Sequence, residues 1–554
     1  MGMPACFPPV FLGIEVEMTS WFLSILLLVS LLSPEKAEGH AGHLPIRNQR
    51  DFDRLDASLD SLSKESVDSI VVSFLPGTYF FREGHVTLAG LHAPNLRIVF
   101  EGNDAAFIGE GETVASGDHT GPYRFEDSWY TCPDFKPFLF TSPLGRCRFF
   151  PIPTRLSFDS FKIPADEPDL SEEEARDVYI IITQWFYGVR YKVDKIRNGY
   201  IYYHATGPSR TPWYTELRFG RCLPRYQLLN HPSRPVSISW NRLKTRDAGK
   251  PLFRPSASNF LSVRDSRIGS ITLEGCRFLG NDGRDTLVKF SSVQADSLTV
   301  RSCRFRGIRG TGVASVSSSG LHFCGNDVSE GFLSALVSDF RSPGTVVSGN
   351  LFRDNGLAFT NAPVVLCQGP DLLISRNRFE DFTYSAIGVG VHYTVPSGLV
   401  TSGRVEYNEI SHSPSFGKKP MRSLIDSGAI YVWTQNRDLT IFGNYVHDIY
   451  GYHGNRGIFC DDGVVNVTVR NNLVLHVESS YPIDVRRYFK VSRRKGTRVV
   501  KGNLNNKIYG NIVDGSCRLF VRKDDPGSLL ECNRVLKRGY DREEVVSQWK
   551  RSLP

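Results

Sequence analysis

The 554-residue chain is 41% hydrophobic and 22% charged, with a formal net charge of +8. That length holds a large core, and eleven cysteines without a Cys-x-x-Cys or a Cys/His cluster at zinc spacing exclude a structural zinc as the organising element. Beyond residue 32 no run is long and apolar enough to span a bilayer as a helix.

In chain order, Trp21 to Leu32 (WFLSILLLVSLL) is a 12-residue apolar run, short for a membrane span and right for the core of a secretory signal. With Met18 as the start and small residues at Ala37, Gly39 and Ala41, residues 1–39 read as a signal region. The mature chain is then expected to be secreted or periplasmic, with no membrane association after cleavage. Cys6 would leave with the signal, and Cys132, Cys147 and Cys222 are the candidates for pairing in an oxidising compartment.

Residues 40–116 predict an N-terminal cap and the first coils of a solenoid. Asp51 to Lys64 places Phe52, Leu55, Leu59 and Leu62 at helical spacing, and the runs at Ile70 (IVVSFLPGTYFF) and Leu96 (LRIVFEGNDAAFIGEG) read as strand-turn-strand. From 117 to 251 the pattern stops. This stretch, rich in Pro, Trp and Tyr, predicts an inserted, mostly-β lobe with a hairpin strand at Ile196 (IRNGYIYYHA).

Between 252 and 520 one phrase recurs nine times: apolar-x-apolar-x-x-[Asn or Cys]-x-apolar. It is anchored on Cys276, Cys303, Asn326, Asn350, Asn377, Asn408, Asn444, Asn472 and Asn511, at spacings of 23 to 39 residues. Alternating apolar residues followed by a corner belong to strands, and strands that return in one direction stack into coils about 4.8 Å apart. The fold class expected is all-β: a right-handed parallel β-helix solenoid with an N-terminal capping helix and an inserted mostly-β lobe. The Asn residues are structural, each bonding its counterpart on the next coil, and Cys276 with Cys303 form a stacked interior pair of thiols. Residues 521–554 predict a tail whose helical pattern EEVVSQWKRSL covers the last coil. The cationic stretch Arg486 to Lys507 reads as a solvated loop or as an attractor of acidic polysaccharide. With little aromatic interleaving and a secretory signal upstream, it is not a nucleic-acid site.

A second strand in each late coil carries the chemistry. Aligned on Ile387, Ile430, Ile458, Ile483 and Leu519, one outward column reads Gly388, Tyr431, Phe459, Asp484, Phe520, and the next reads Gly390, Trp433, Asp461, Arg486, Arg522. Rings flat on a β-face bind the apolar faces of sugars, and neighbouring carboxylates serve as acid, base or nucleophile on a glycosidic bond.

Asp426-Ser-Gly-Ala-Ile-Tyr431, Asn444-Tyr-Val-His-Asp448, Gly457-Ile-Phe-Cys-Asp461-Asp462-Gly463 and Asn471-Asn472 together resemble the right-handed β-helix glycoside hydrolases, particularly families 120 and 141. Those families include a β-xylosidase and an α-L-fucosidase. The resemblance implies that Asp426 and the Asp461-Asp462 pair stand at positions where these families keep catalytic carboxylates. Phe459-Cys460 departs from the Tyr-aliphatic pair more usual there. The expected partner is a plant-type polysaccharide or oligosaccharide, with Tyr431, Trp433, His453, Phe459, Asp484 and Arg486 as substrate contacts and neither cofactor nor metal. The alternatives are a lyase on an acidic glycan, using Arg486 or Lys490 with Asp-held Ca²⁺, and a glycan-binding β-helix without turnover.

Overall fold

The computed structural model describes residues 41–109 except 66, the strands within 111–255, and 259–554 except 281–285, 309, 332, 357–361, 392–398, 414, 417–418, 421–426, 434–435, 451–454, 462, 487–504, 520–524, 526 and 532. From the coil of Cys303 onward each coil contributes three strands. In the coil that carries Asn444 they are Gly428–Val432, Asn436–Phe442 and Tyr445–Ile449, followed on the next coil by Arg456–Cys460, Val467–Arg470 and Leu473–Val477. Equivalent strands of successive coils pair in parallel and in register, as in Ile430↔Ile458, Ile441↔Val469 and Val446↔Val474.

The corner between the second and third strands explains the repeated phrase. Asn444 Nδ2 donates to Asn472 Oδ1 at 2.9 Å and to the Val405 carbonyl of the preceding coil at 2.9 Å, while its backbone N–H reaches the same Asn472 Oδ1 at 3.0 Å. The same bonds repeat from Asn326 upward, and the side-chain ladder runs on through Asn511 to Asn533 at 2.9 Å. One side chain therefore satisfies three buried groups at every corner. Cys276 and Cys303 occupy the start of this column as buried free thiols, as expected. Contact with Cys303, then burial, pushes the Cys276 thiol up, so it stays protonated.

Inside the coil, phenylalanines stack from rung to rung. Phe278 and Phe305 have ring centres 5.2 Å apart, and Phe352 and Phe379 lie 4.6 Å apart and nearly parallel. The N-terminal cap is two helices, Gln49–Asp53 and Leu55–Ser63, where the sequence suggested one; the chain bends at Arg54 so that Phe52, Leu55 and Leu59 are all fully buried. The solenoid also runs one coil past residue 520, to Leu529–Glu531 and Arg534–Val535. The helix Arg542–Ser552 lies along the side of the coils, where Val545 and Trp549 cover Leu473 and Leu475, and does not simply close the last coil.

Within the inserted segment the described strands pair antiparallel, as Tyr179–Gln184 with Tyr187–Arg197 and the latter with Tyr200–Ala205. Gly111–Val114 pairs antiparallel with Leu252–Pro255, joining the two ends of the insertion. Cys132, Cys147 and Cys222, like the signal region, lie outside the described residues. Among the described residues no helix is long and apolar enough to cross a membrane.

Candidate active site

The first strands of the late coils form one face, and their register fixes its columns. Gly388 lies opposite Tyr431, Tyr431 opposite Phe459, Phe459 opposite Asp484, and Asp484 opposite Arg518. The first four are as the sequence alignment placed them. The fifth is corrected: Ile483 pairs with Cys517, so Arg518 and not Phe520 continues the column. The next column follows from the ladder bonds Trp433 N–H to Val389 O (2.8 Å), Asp461 N–H to Val432 O (3.0 Å) and Arg486 N–H to Cys460 O (2.9 Å). Trp433, Asp461 and Arg486 thus stand on three consecutive coils.

Two glycines make room for the indole. A Cβ on Gly388 would come within 2.9 Å of Trp433 Cζ3, and Gly390, at φ +94°, would place one 2.6 Å from the Trp433 carbonyl oxygen. The same carbonyl accepts from Asn436 Nδ2 at 2.6 Å.

Tyr431 sits in the middle of an aromatic group. Its ring centre is 4.9 Å from Trp433, 5.2 Å from Phe459 in an edge-on contact and 6.3 Å from Tyr384. The Tyr431 hydroxyl donates to Asp461 Oδ2 at 2.8 Å, across two coils. Asp461 is 5% exposed, and its Oδ1 takes no hydrogen bond from any described residue. A buried carboxylate oxygen in that condition is costly, and such groups are characteristic of sites built to meet a reacting or bound partner.

Asp484 is different. It was expected to touch substrate, but it is fully buried with both oxygens taken by guanidinium groups of neighbouring coils. Arg456 Nε donates to Oδ2 at 2.9 Å, Arg518 Nε to Oδ1 at 2.6 Å, and Arg518 Nη2 also reaches Oδ2. Arg456 in turn lies 4.1 Å over the Phe459 ring and Arg518 4.0 Å over Tyr481. Phe459, also expected at the substrate, is covered completely by this packing. Asp484 and Phe459 therefore form the floor beneath Tyr431 and Asp461. The bond to Asp484 raises Arg518 above its usual range, so its guanidinium stays charged. Burial, with the charges of Asp484 and Asp461 added, pushes the Cys460 thiol far up, leaving it an inert interior side chain.

Asp426, Asp462 and His453 lie outside the described residues, as does Lys490. Their described neighbours are firmly held. Ser427, next to Asp426, donates through Oγ to Asn455 Oδ1 at 2.8 Å, and Asn455 Nδ2 donates to the Tyr450 carbonyl at 2.8 Å. Asn455, Arg456, Arg518 and Tyr384 were not singled out in the sequence. Asn455 precedes the strand Arg456–Cys460 within a long loop, and only the fold shows that it spans two coils. Among the described residues no group of three or more His, Cys, Asp or Glu is arranged to hold a metal ion.

Residues 269–533 match the family model described as the right handed beta helix region. A search of curated proteins gives no match. Among solved structures, the chain is similar to one described as "Glycoside hydrolase", at 13% identity over 92% of this chain and 98% of that one, with a TM-score of 0.47. It is also similar to XylC in complex with xylose, at 10% identity over 85% of this chain and 75% of that one, TM-score 0.41. A third is the A-module of the Azotobacter vinelandii mannuronan C-5 epimerase AlgE4, at 14% identity over 50% and 81%, TM-score 0.27. The stacked coils described above, matched from 269 to 533, are a right-handed parallel β-helix.

Proposed function

We propose that the chain is a secreted or periplasmic glycoside hydrolase in which Asp461 is one of two working carboxylates. The observation that carries this reading is the Asp461 side chain: buried, gripped through one oxygen by Tyr431, without a donor among the described residues at the other, and on the coil next to Trp433. Glycosidic cleavage needs a carboxylate that attacks, or activates water, and a carboxylic acid that protonates the leaving oxygen. Asp426 and Asp462, adjacent in sequence to the anchored Ser427 and Asp461, are the proposed sources of the second group. The exocyclic C–O bond breaks, its electron pair and the acid's proton go to the leaving alcohol, and water supplies the hydroxyl of the new reducing end. The substrate class proposed is a plant-type polysaccharide or oligosaccharide, for which Tyr431 and Trp433 provide the aromatic wall.

A screen of 4-nitrophenyl glycosides and plant oligosaccharides with product analysis tests this. Release of a reducing sugar supports hydrolysis. An unsaturated product absorbing in the ultraviolet would make the chain a lyase, and saturable binding with no turnover of any member would make it a binding protein.

A further inference from the structure

We propose that Tyr431 is the positioning residue of the Asp461 carboxylate, selecting Oδ1 as the reacting oxygen. The inference rests on the hydrolase reading above and assigns Asp461 the part of nucleophile or base, so that the acid must be a different carboxyl group.

The geometry supports it in three steps. The Tyr431 ring packs against Trp433, Phe459 and Tyr384, and in that position its hydroxyl donates to Asp461 Oδ2 at 2.8 Å. Tyr431 is 6% exposed and Asp461 5%, so bulk water does not compete for this bond. A phenol O–H that donates to a carboxylate favours the charged over the protonated carboxyl, because the protonated oxygen is a weaker acceptor. The Asp461 carboxylate has two oxygens. With Oδ2 committed, Oδ1 keeps its lone pairs, and no described residue donates to it. In the reaction the Oδ1 lone pair goes to the anomeric carbon, or takes a proton from the water attacking there, as the bond to the leaving oxygen breaks. The proton on the leaving group comes from the second carboxylic acid.

The floor explains why the bond survives a reaction cycle. Phe459 is clamped between Tyr431 and Arg456, and Arg456 is tied to Asp484, so the ring against which Tyr431 leans is fixed by an ion network on the neighbouring coils. Tyr431 lies within the strand Gly428–Val432 and Asp461 directly follows its in-register neighbour Arg456–Cys460, which fixes the two as diagonal neighbours on adjacent coils.

Tyr431→Phe keeps the ring and removes only the hydroxyl. In the full chain labelled with carbonyl-¹³C aspartate, the Asp461 carboxyl resonance is assigned from Asp461→Asn and titrated without any substrate. The expected result is a midpoint higher in Tyr431→Phe than in wild type by about half a pH unit or more. With the 4-nitrophenyl glycoside that wild type turns over fastest, kcat should fall about 100-fold with KM within threefold, as for removal of one preorganised donor. The acid limb of the pH–rate profile should move up with the resonance. If Tyr431→Phe leaves both the titration and the profile in place while Asp461→Asn is inactive, the positioning role is wrong and the hydrolase reading stands. If Asp461→Asn keeps its turnover, the reading itself fails, and the substrate-free titration still reports whether Tyr431 acts on Asp461. Unchanged thermal melting of Tyr431→Phe separates either outcome from loss of fold.

Discussion

Arg542, in the first turn of the C-terminal helix, places Nη2 3.1 Å from the Asp448 carboxylate, 94 residues earlier and three coils in from the end. The same side chain donates through Nε to the Tyr445 hydroxyl at 3.0 Å. Asp448 also lies 2.6 Å from His447 Nδ1 and 3.1 Å from His476 Nδ1. Arg542 Nη2 is 2.7 Å from His447 Nδ1 as well, and a guanidinium can only donate. When His447 is charged, its Nδ1–H goes to Asp448 and the Arg542 hydrogen goes to Asp448 too. Trp549, bonded to the Asn471 carbonyl at 2.9 Å, completes the attachment.

This attachment should depend on pH in a definite direction. Burial alone would lower the His447 imidazolium, but Asp448 and the Glu409 carboxylate 3.7 Å away raise it above the ordinary histidine value. Its contribution is therefore complete below the unfolded value of about 6.5 and is lost as pH rises through the folded one. For Asp448, burial opposes ionisation, yet His447 and Arg542 hold it well below the usual range, so its contribution is present above about pH 4 and lost in acid. Protection of the helix amides, measured against the intrinsic exchange rate at each pH, should be greatest between these limits. His447→Gln should speed exchange most near pH 5 to 6 and hardly at all near pH 9.

Arg542→Ala should loosen the same helix without unfolding the coils. A partly exposed pair of this kind contributes about 1 kcal/mol after solvent screening. Faster exchange confined to Arg542–Ser552 is expected; a drop in the melting temperature of the whole chain with no local change would contradict it.

The Asn corner makes a stronger demand on stability. Asn444→Leu removes the acceptor for the Asn408 N–H and Nδ2, both at about 3 Å, and strands the Val405 carbonyl. Each buried group left unpaired costs about 1–3 kcal/mol, so chemical denaturation should show a loss of about 3 kcal/mol or more.

Asp484→Asn is expected to destabilise by about 3–5 kcal/mol, because it leaves the buried Arg456 guanidinium and the partly exposed one of Arg518 facing a neutral side chain. Asp461→Asn should cost far less, since among the described residues only Tyr431 donates to its carboxylate. Equal losses in the two variants would contradict the division between floor and site.

Much of this was legible in the sequence, and the misreadings have physical causes. A repeated Asn at a corner is visible because the ladder demands the same residue on every coil, and Asn533 escaped because Ser528 stands at the first apolar position of its phrase. The pairing of Ile483 with Leu519 failed because a slip of two residues keeps every side chain on its proper face. Cys517 is as acceptable an inward residue as Leu519. The partners of Asp484 were hidden for another reason. Arg456 and Arg518 lie 28 and 34 residues from it, on the coils above and below, whereas the sequence offers Arg486 and Arg487 as near neighbours. By contrast, the placing of Tyr431, Trp433 and Asp461 on one face required only period two within single coils, and that held.

The account turns on Asp461 as a working carboxylate, and the most direct test is the turnover number of Asp461→Asn against wild type on the glycoside that wild type hydrolyses, with melting temperatures measured in parallel. A fall in kcat of about a thousandfold or more at unchanged stability is the predicted result. Turnover within tenfold of wild type in a folded Asp461→Asn variant would contradict it.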